Sequence, residues 1–311
     1  MKKGLLRFGV TVLIVLVSVA VVDVAVGNVM DWMLPQISNQ GDTGKTYYSL
    51  NDVNTPVVIV GSSRAAHHYV TEMIEDSLKM PAYNLGCDGC FFSYNCCIIN
   101  SILDRYTPKL IIWECDNESL YKDNPDQLED LYPYYGVNSW ITTVIKTEYP
   151  KSESVKLKSN LYKYNSRIHR ISSRYSGRKS FSDATEKGYL PIAQKKLLSK
   201  LELNEAKTTN LEMSTSKIER LRSVLQRARN KGTQVIVVDS PKYIKMIGPN
   251  KSASMISNLC AENGAIYYDF TQLTDFHKHA DYFNDNVHLN DNGAKIYTDI
   301  FLKTVKVNIG N

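Results

Sequence analysis

Three stretches of the chain are apolar without interruption: residues 57–60 (VVIV, followed by Gly61), the core of 109–115 (KLIIWEC) and the core of 233–240 (TQVIVVDS). A strand with one face in water alternates apolar and polar residues, so runs of this kind need apolar cover on both faces, the situation of a parallel sheet. Two shorter segments, AYNLG at 82–86 and AIYYDF at 265–270, complete a set of five strands. Helical patterns lie between and after them at 64–79, 91–106, 214–230, 252–263 and 291–305. Strands joined by crossover helices predict an α/β domain: a three-layer, doubly wound, flavodoxin-like parallel five-stranded sheet spanning residues 56–311. A Tyr-, Lys- and Ser-rich insertion, expected to be mostly helical, interrupts it at about 120–213.

The N-terminus carries a different signal. Lys2, Lys3 and Arg7 precede an uncharged apolar run at 8–22 that continues past Asp23 to about Met30. Some 20 apolar-dominated residues suffice to cross a bilayer as one helix. The cationic side is expected in the cytoplasm, which makes this a single-pass membrane protein with an extracytoplasmic domain, periplasmic or cell-surface. A cleaved signal peptide is the competing reading, with small residues at 25–27, but the apolar run is longer than the ~7–15 residues such segments use. Residues 1–30 are therefore the membrane anchor or signal segment, and the polar, turn-rich 31–55 reads as a stalk. The net charge of +5 in 311 residues is too small to argue for nucleic acid, and no nucleic-acid-binding or nucleotide-binding motif accompanies it.

Of six cysteines, Cys87, Cys90, Cys96 and Cys97 cluster, while Cys115 and Cys260 stand apart. The Cys87–Cys90 spacing has no second pair or histidines to complete a zinc set. Most are expected as small buried residues, with one disulfide open within 87–97.

Ligands of an open parallel sheet bind at the carboxyl ends of its strands. The residues found there are Gly61-Ser62-Ser63-Arg64, then Asn84 to Gly89, then Glu114 to Glu118, and finally Asp285-Asn286-Val287-His288 before the last helix. Each alone has a plain structural reading: a serine at a strand end caps a helix, Gly89 is a turn glycine, Asn117 an Asx turn. In order, and all at carboxyl ends, they amount to a candidate site.

In that order of blocks the chain resembles the SGNH hydrolase superfamily, also called GDSL-like esterases. Gly61-Ser62-Ser63 matches the family's G-x-S turn and nominates Ser63 over Ser62. Asn84 and Gly89 match its second block, Asn117 its third, and Asp285 and His288 its D-x-x-H block. The third block departs from the family pattern, with Cys115 for the glycine and Glu118 for the final aspartate, and the acid of the first block is missing. The resemblance implies Ser63 as nucleophile, His288 as base and Asp285 as its orienting acid, with an oxyanion hole from the Ser63 and Gly89 amides and the Asn117 side chain, and neither metal nor cofactor. Arg64 is a candidate contact for an anionic substrate group or a surface ion pair, and His67, His68 and Tyr69 read as packing residues.

Within the insertion, residues 151–180 hold nine Lys/Arg against one acid, Glu153, with tyrosines interleaved. This composition suits anionic head groups or an anionic or sugar-containing polymer, and a lid or substrate platform is expected. Together with the anchor, the resemblance implies ester hydrolysis or acyl transfer on an extracytoplasmic glycan through an acyl-serine, with an ester-bearing glycan or acyl donor as partner and a multi-spanning membrane acyltransferase as a possible second one. The alternative is a catalytically silent SGNH scaffold that binds glycan or such a membrane partner.

Overall fold

The computed structural model describes residues 2–122, 127–165, 167–177, 187–193, 201–207 and 211–305. The chain opens with α1 (Lys2–Met33) and α2 (Gly41–Asn51), then β1 (Val57–Val60), α3 (Ser63–His68), α4 (Thr71–Leu78) and β2 (Ala82–Asn84). After α5 (Phe92–Arg105) and β3 (Leu110–Glu114) come four helices of the insertion: α6 (Ser139–Glu148), α7 (Lys151–Lys156), α8 (Asn160–Tyr164) and α9 (Ile168–Tyr175). Then follow β4 (Asn204–Lys207), α10 (Thr215–Asn230), β5 (Gln234–Asp239) and β6 (Ile244–Ile247). The chain continues with α11 (Lys251–Glu262), β7 (Ile266–Asp269), α12 (Thr274–His277) and α13 (Asp291–Thr304).

Five of the strands form one parallel sheet in the order β2-β1-β3-β5-β7. Val57 lies beside both Ala82 and Leu110, Leu110 beside Gln234, and Ile236 beside Ile266, so all five carboxyl ends emerge at one edge. Every residue of β1 and β3 is buried, as unbroken apolar runs require. The core cluster joins Ile59, Ile112, Ile236 and Val238 to Tyr69, Phe276, Tyr297 and Phe301. Side-chain caps set the helix starts: Ser214 accepts from the Lys217 amide, Asn250 from Ala253 and Asn290 from Gly293, satisfying amides that the first helical turn leaves open.

The structure departs from the sequence reading in three places. Residues 31–55 are not an irregular stalk: they hold the end of α1, a 3₁₀ turn at Leu34–Ile37 and α2, with Leu34, Ile37, Leu50 and Val53 buried. The single helix expected at 64–79 is two, because Tyr69 and Val70 adopt extended backbone; this turns the Tyr69 hydroxyl inward to donate to Glu114, while the Val70 amide donates to Thr298 Oγ1. Third, β4 and β6 pair in parallel as a separate two-stranded sheet that alternation and length did not reveal.

The chain divides into two compact units, Tyr48–Leu128 with Ser180–Asn311, and Met1–Tyr47 with Glu129–Lys179. The first contains the five-stranded sheet. In the second, the insertion helices pack on α1: Met30, Leu34 and Ile37 form a cluster with Tyr164 and Ile171. The basic stretch is thus held by the N-terminal helix; its Arg178 and Lys179 lie outside the described residues.

Candidate active site

The turn after β1 is built around Gly61. A Cβ there would fall 2.7 Å from the Cβ atoms of Ala65 and Glu114, so no other residue lets β1 pass into α3 so closely against β3. Ser62 occupies the cap position but its side chain makes no cap hydrogen bond, and α3 begins at Ser63. The Ser63 hydroxyl lies 2.8 Å from His288 Nε2. On the other side of the ring, Nδ1 is 2.9 and 3.0 Å from the two Asp285 oxygens. The Asp285 carboxylate also accepts the amides of Val287 and His288, both at 2.9 Å. One tautomer satisfies all of this: Nδ1–H donates to Asp285 and Nε2 accepts from Ser63. Burial alone would raise the Asp285 carboxyl, but the hydrogen bonds from His288 and the two amides hold it well below the usual carboxylate range. The Asn290 cap of α13 sits two residues after His288 and fixes where the loop re-enters the helix.

A cavity of about 310 Å³ opens beside this triad, lined by Ser62, Ser63, His288, Phe91, Phe92, Asn95, Trp113, Glu118 and Ser119 among others. Two of its acceptors are uncommitted among the described residues. Asn95 gives both amide hydrogens to backbone carbonyls, at 3.0 Å to Cys90 and 2.7 Å to Phe91, which leaves its buried Oδ1 without a partner. The Glu118 carboxyl makes no hydrogen bond, and burial followed by the neighbouring Asp116 push its pKa up.

Gly89 and Asn117 are not among the cavity's lining residues. Gly89 has a left-handed backbone (φ +72°), which explains the residue type, and stands next to the Cys87–Cys90 disulfide. Asn117 is buried, its backbone amide donates to Asp239 at 2.8 Å, and its side-chain Oδ1 has no partner among the described residues. The other four cysteines are free and buried. Asn84 braces the loops behind β1 and β2, donating to the carbonyls of Ala65 and Tyr69 and accepting the Gly86 amide.

Of the two roles expected of Arg64, the ion pair is formed, in the interior and not on the surface. Its side chain borders the cavity but is only 6% exposed, and its guanidinium bonds Asp239, Asp116 at 2.9 Å, Glu114 at 3.1 Å and the Ser240 carbonyl at 3.1 Å. Lys242 joins the cluster through Asp116 at 2.8 Å. Burial would strip the charge from Arg64, but the three carboxylates hold its pKa well above the normal value. A second chain of bonds runs behind the triad: the Leu289 amide donates to His68 Nε2 at 3.0 Å, His68 Nδ1 bonds Ser240 Oγ at 2.7 Å, and Ser240 Oγ donates to Glu114 at 3.0 Å. His68 is thereby fixed as the neutral Nδ1–H tautomer, and burial followed by the nearby Arg64 charge keep its pKa well below the normal value. His67, also read as a packing residue, stands edge-on to His288 with ring centres 5.7 Å apart and bonds the Leu190 carbonyl at 2.7 Å. The sequence did carry a trace of this cluster, since the apolar runs of β3 and β5 end on Glu114 and Asp239.

No protein-family model matches the chain, and no curated protein is recognisably similar to it in sequence.

Proposed function

We propose that the chain is a membrane-anchored serine esterase or O-acyltransferase of SGNH type, with that family's three-layer arrangement around its sheet, acting on ester bonds of an extracytoplasmic glycan. The observation that carries the reading is the Ser63–His288–Asp285 chain of hydrogen bonds, at 2.8 and 2.9 Å, beside the cavity at the carboxyl ends of the strands. A serine hydroxyl is a weak nucleophile until an adjacent base takes its proton. His288 Nε2 accepts that proton as Ser63 Oγ attacks the ester carbonyl, and the imidazolium formed is stabilised by Asp285. Collapse of the tetrahedral intermediate expels the alcohol, which takes the proton back from His288, and leaves an acyl-serine. Water or a sugar hydroxyl, deprotonated by the same histidine, then releases the acid or a new ester. Of the oxyanion donors that the resemblance implies, only Ser63 belongs to a residue that lines the cavity, Gly89 and Asn117 lying outside its lining; one donor is worth ~3–4 kcal/mol.

Support for a sugar substrate comes from the cavity. Phe91, 37% exposed, offers a flat apolar face, and Asn95 Oδ1 and Glu118 are acceptors without donors among the described residues, a set suited to hydroxyl groups. The extracytoplasmic placement rests on Lys2, Lys3 and Arg7 at the N-terminal end of the helix. One observation favours a catalytically silent scaffold instead: Asn117, the third expected oxyanion donor, is buried outside the cavity lining.

The test is to incubate the detergent-solubilised full chain with p-nitrophenyl acetate, with and without a glycan acceptor, and to analyse both the protein and the products. An acetyl group on Ser63 that partitions to acetate or to acetylated glycan supports the reading and separates hydrolysis from transfer. A folded chain that neither acylates nor turns over supports the scaffold.

A further inference from the structure

The N-terminal helix is bare along its first two thirds and covered on one face along the rest, and the changeover occurs at Asp23. From Phe8, just after Arg7, to Val24 the apolar side chains are exposed, a length of about 25 Å at 1.5 Å per residue, close to the thickness of a bilayer's hydrocarbon core. Asp23, Val26, Gly27, Met30, Leu34 and Ile37 then form one helical stripe that turns away from solvent. Asp23 accepts Ser159 Oγ at 2.6 Å, the Asn160 amide at 3.0 Å and the Leu161 amide at 2.9 Å, so it caps the start of α8. A Cβ on Gly27 would come within 2.6 Å of the Asn160 side chain, a measure of how closely α8 lies on the helix. A carboxylate at the edge of the hydrocarbon is satisfied there by three donors from the insertion.

This geometry sets the depth of the insertion relative to the membrane. Ser159 and α8 sit at the level where the helix leaves the hydrocarbon. The preceding helix α7 is about 9 Å long and joins Ser159 through Leu157 and Lys158 alone, which keeps its cations near that level. Its inner face buries Glu153 and is followed by buried Leu157, whereas Lys151, Val155 and Lys158 share the outer face at helical spacing, with Lys156 beside them. Val155 is 65% exposed within this ring of lysines. The one acid of the segment, Glu153, is buried, where it accepts the Tyr162 hydroxyl at 2.7 Å and pairs with Lys156 at 3.3 Å. On the same unit, Trp32 is exposed and packs on Tyr175 with ring centres 5.3 Å apart, an amphipathic pair of the kind enriched at membrane interfaces.

We propose that the α7–α8 corner is a lipid-binding surface: it rests on the leaflet that Asp23 faces, with Lys151, Lys156 and Lys158 on the phosphates of anionic lipids and Val155 inserted among the head groups. The proposal depends on the helix spanning the membrane and not on the esterase reading.

The test uses the full chain in nanodiscs, with Val155→Cys carrying an environment-sensitive fluorophore; the four free cysteines are buried, which favours labelling at 155. In discs containing phosphatidylglycerol the emission shifts to shorter wavelength and is quenched by lipids brominated near the head group, and both effects fall in purely zwitterionic discs or on raising the salt. Each Lys→Gln change at 151, 156 or 158 lowers the lipid-bound population relative to the free one about fivefold, equivalent to ~1 kcal/mol per cation. A water-like signal in both lipid compositions overturns the proposal. So does quenching that ignores lipid charge. A signal that responds to added soluble poly-glutamate in zwitterionic discs but not to phosphatidylglycerol overturns it too, and assigns the surface to an anionic polymer. Because salt and lipid composition are varied on one labelled protein, the result does not depend on how the lysine variants fold.

Discussion

Ser63 and Arg64 are neighbours in the chain and belong to opposite kinds of site. The Ser63 triad is half open, with His288 and Asp285 side chains 24% and 44% exposed, and its hydrogen bonds are ranged around a cavity. The Arg64 cluster is more closed, with Glu114 and Asp239 side chains 1% and 0% exposed and Asp116 33% exposed at the cavity wall, and it ties the ends of β1, β3 and β5 together. On the proposed reading, the groups that would meet a substrate keep solvent access, while the groups that hold the sheet edge are largely buried and paired with one another.

Substitutions at the two sites should therefore separate two readouts. The largest effect is chemical: Ser63→Ala or His288→Ala is expected to lower the rate of reaction with an activated ester by about 10⁴-fold or more, while thermal unfolding moves little, because a half-exposed hydrogen bond contributes only ~0.5–1.5 kcal/mol. A large loss of stability in these variants would contradict the division from the catalytic side.

Next comes Arg64→Met, which leaves three carboxylates facing an apolar side chain. A cost of about 3–5 kcal/mol is expected, read as a fall of roughly 10 °C in the unfolding midpoint. Arg64→Lys should not restore stability, since one ammonium cannot reproduce the planar fork that reaches Asp239, Asp116 and Glu114. Wild-type stability in Arg64→Met would show the cluster to be dispensable.

A smaller effect depends on pH. His68 has a folded-state pKa below its unfolded value of 6.5, so the folded chain binds fewer protons than the unfolded chain beneath that value. Its contribution is complete above about pH 6.5 and is lost as the pH falls below it, at up to ~1.4 kcal/mol per pH unit. Between about pH 7 and pH 5 the difference in unfolding free energy between wild type and His68→Asn should show that slope, while Asp239, whose pKa burial raises to about 7, contributes with the opposite sign in both proteins. Identical slopes in both proteins would rule out His68 as the source. The smallest effect is expected of Ser62→Ala: its side chain caps nothing, so both reaction rate and stability should stay near wild type, within about 0.5 kcal/mol.

The strands of the main sheet were legible because burial on both faces writes itself as an unbroken apolar run, as at Val57–Val60 and Leu110–Glu114. The proposed nucleophile, base and acid could be nominated through the resemblance to the SGNH blocks, which stand at the strand ends where ligands of such sheets bind, and the spacing of Asp285 and His288 lets the carboxylate reach the imidazole. The role of Arg64 was not legible: its partners Glu114, Asp116 and Asp239 come from distant parts of the chain, and an arginine after a serine looks the same whether it faces a ligand or three carboxylates. The break at Tyr69–Val70 was hidden for a similar reason, since the Tyr69 hydroxyl reaches Glu114 across the fold. Strands β4 and β6 are four residues each and partly exposed, too short for a periodicity to register. The partners of Asp23 were not legible, because its donors come from residues 159–161.

Whether Ser63 is an activated nucleophile can be decided by treating the full chain with a fluorophosphonate probe and mapping the adduct by mass spectrometry in wild type, Ser62→Ala, Ser63→Ala and His288→Ala. A single adduct on Ser63, retained in Ser62→Ala and lost in His288→Ala while that variant remains folded, is the predicted result. A folded wild-type chain that takes up no probe, or takes it up on Ser62, would contradict it.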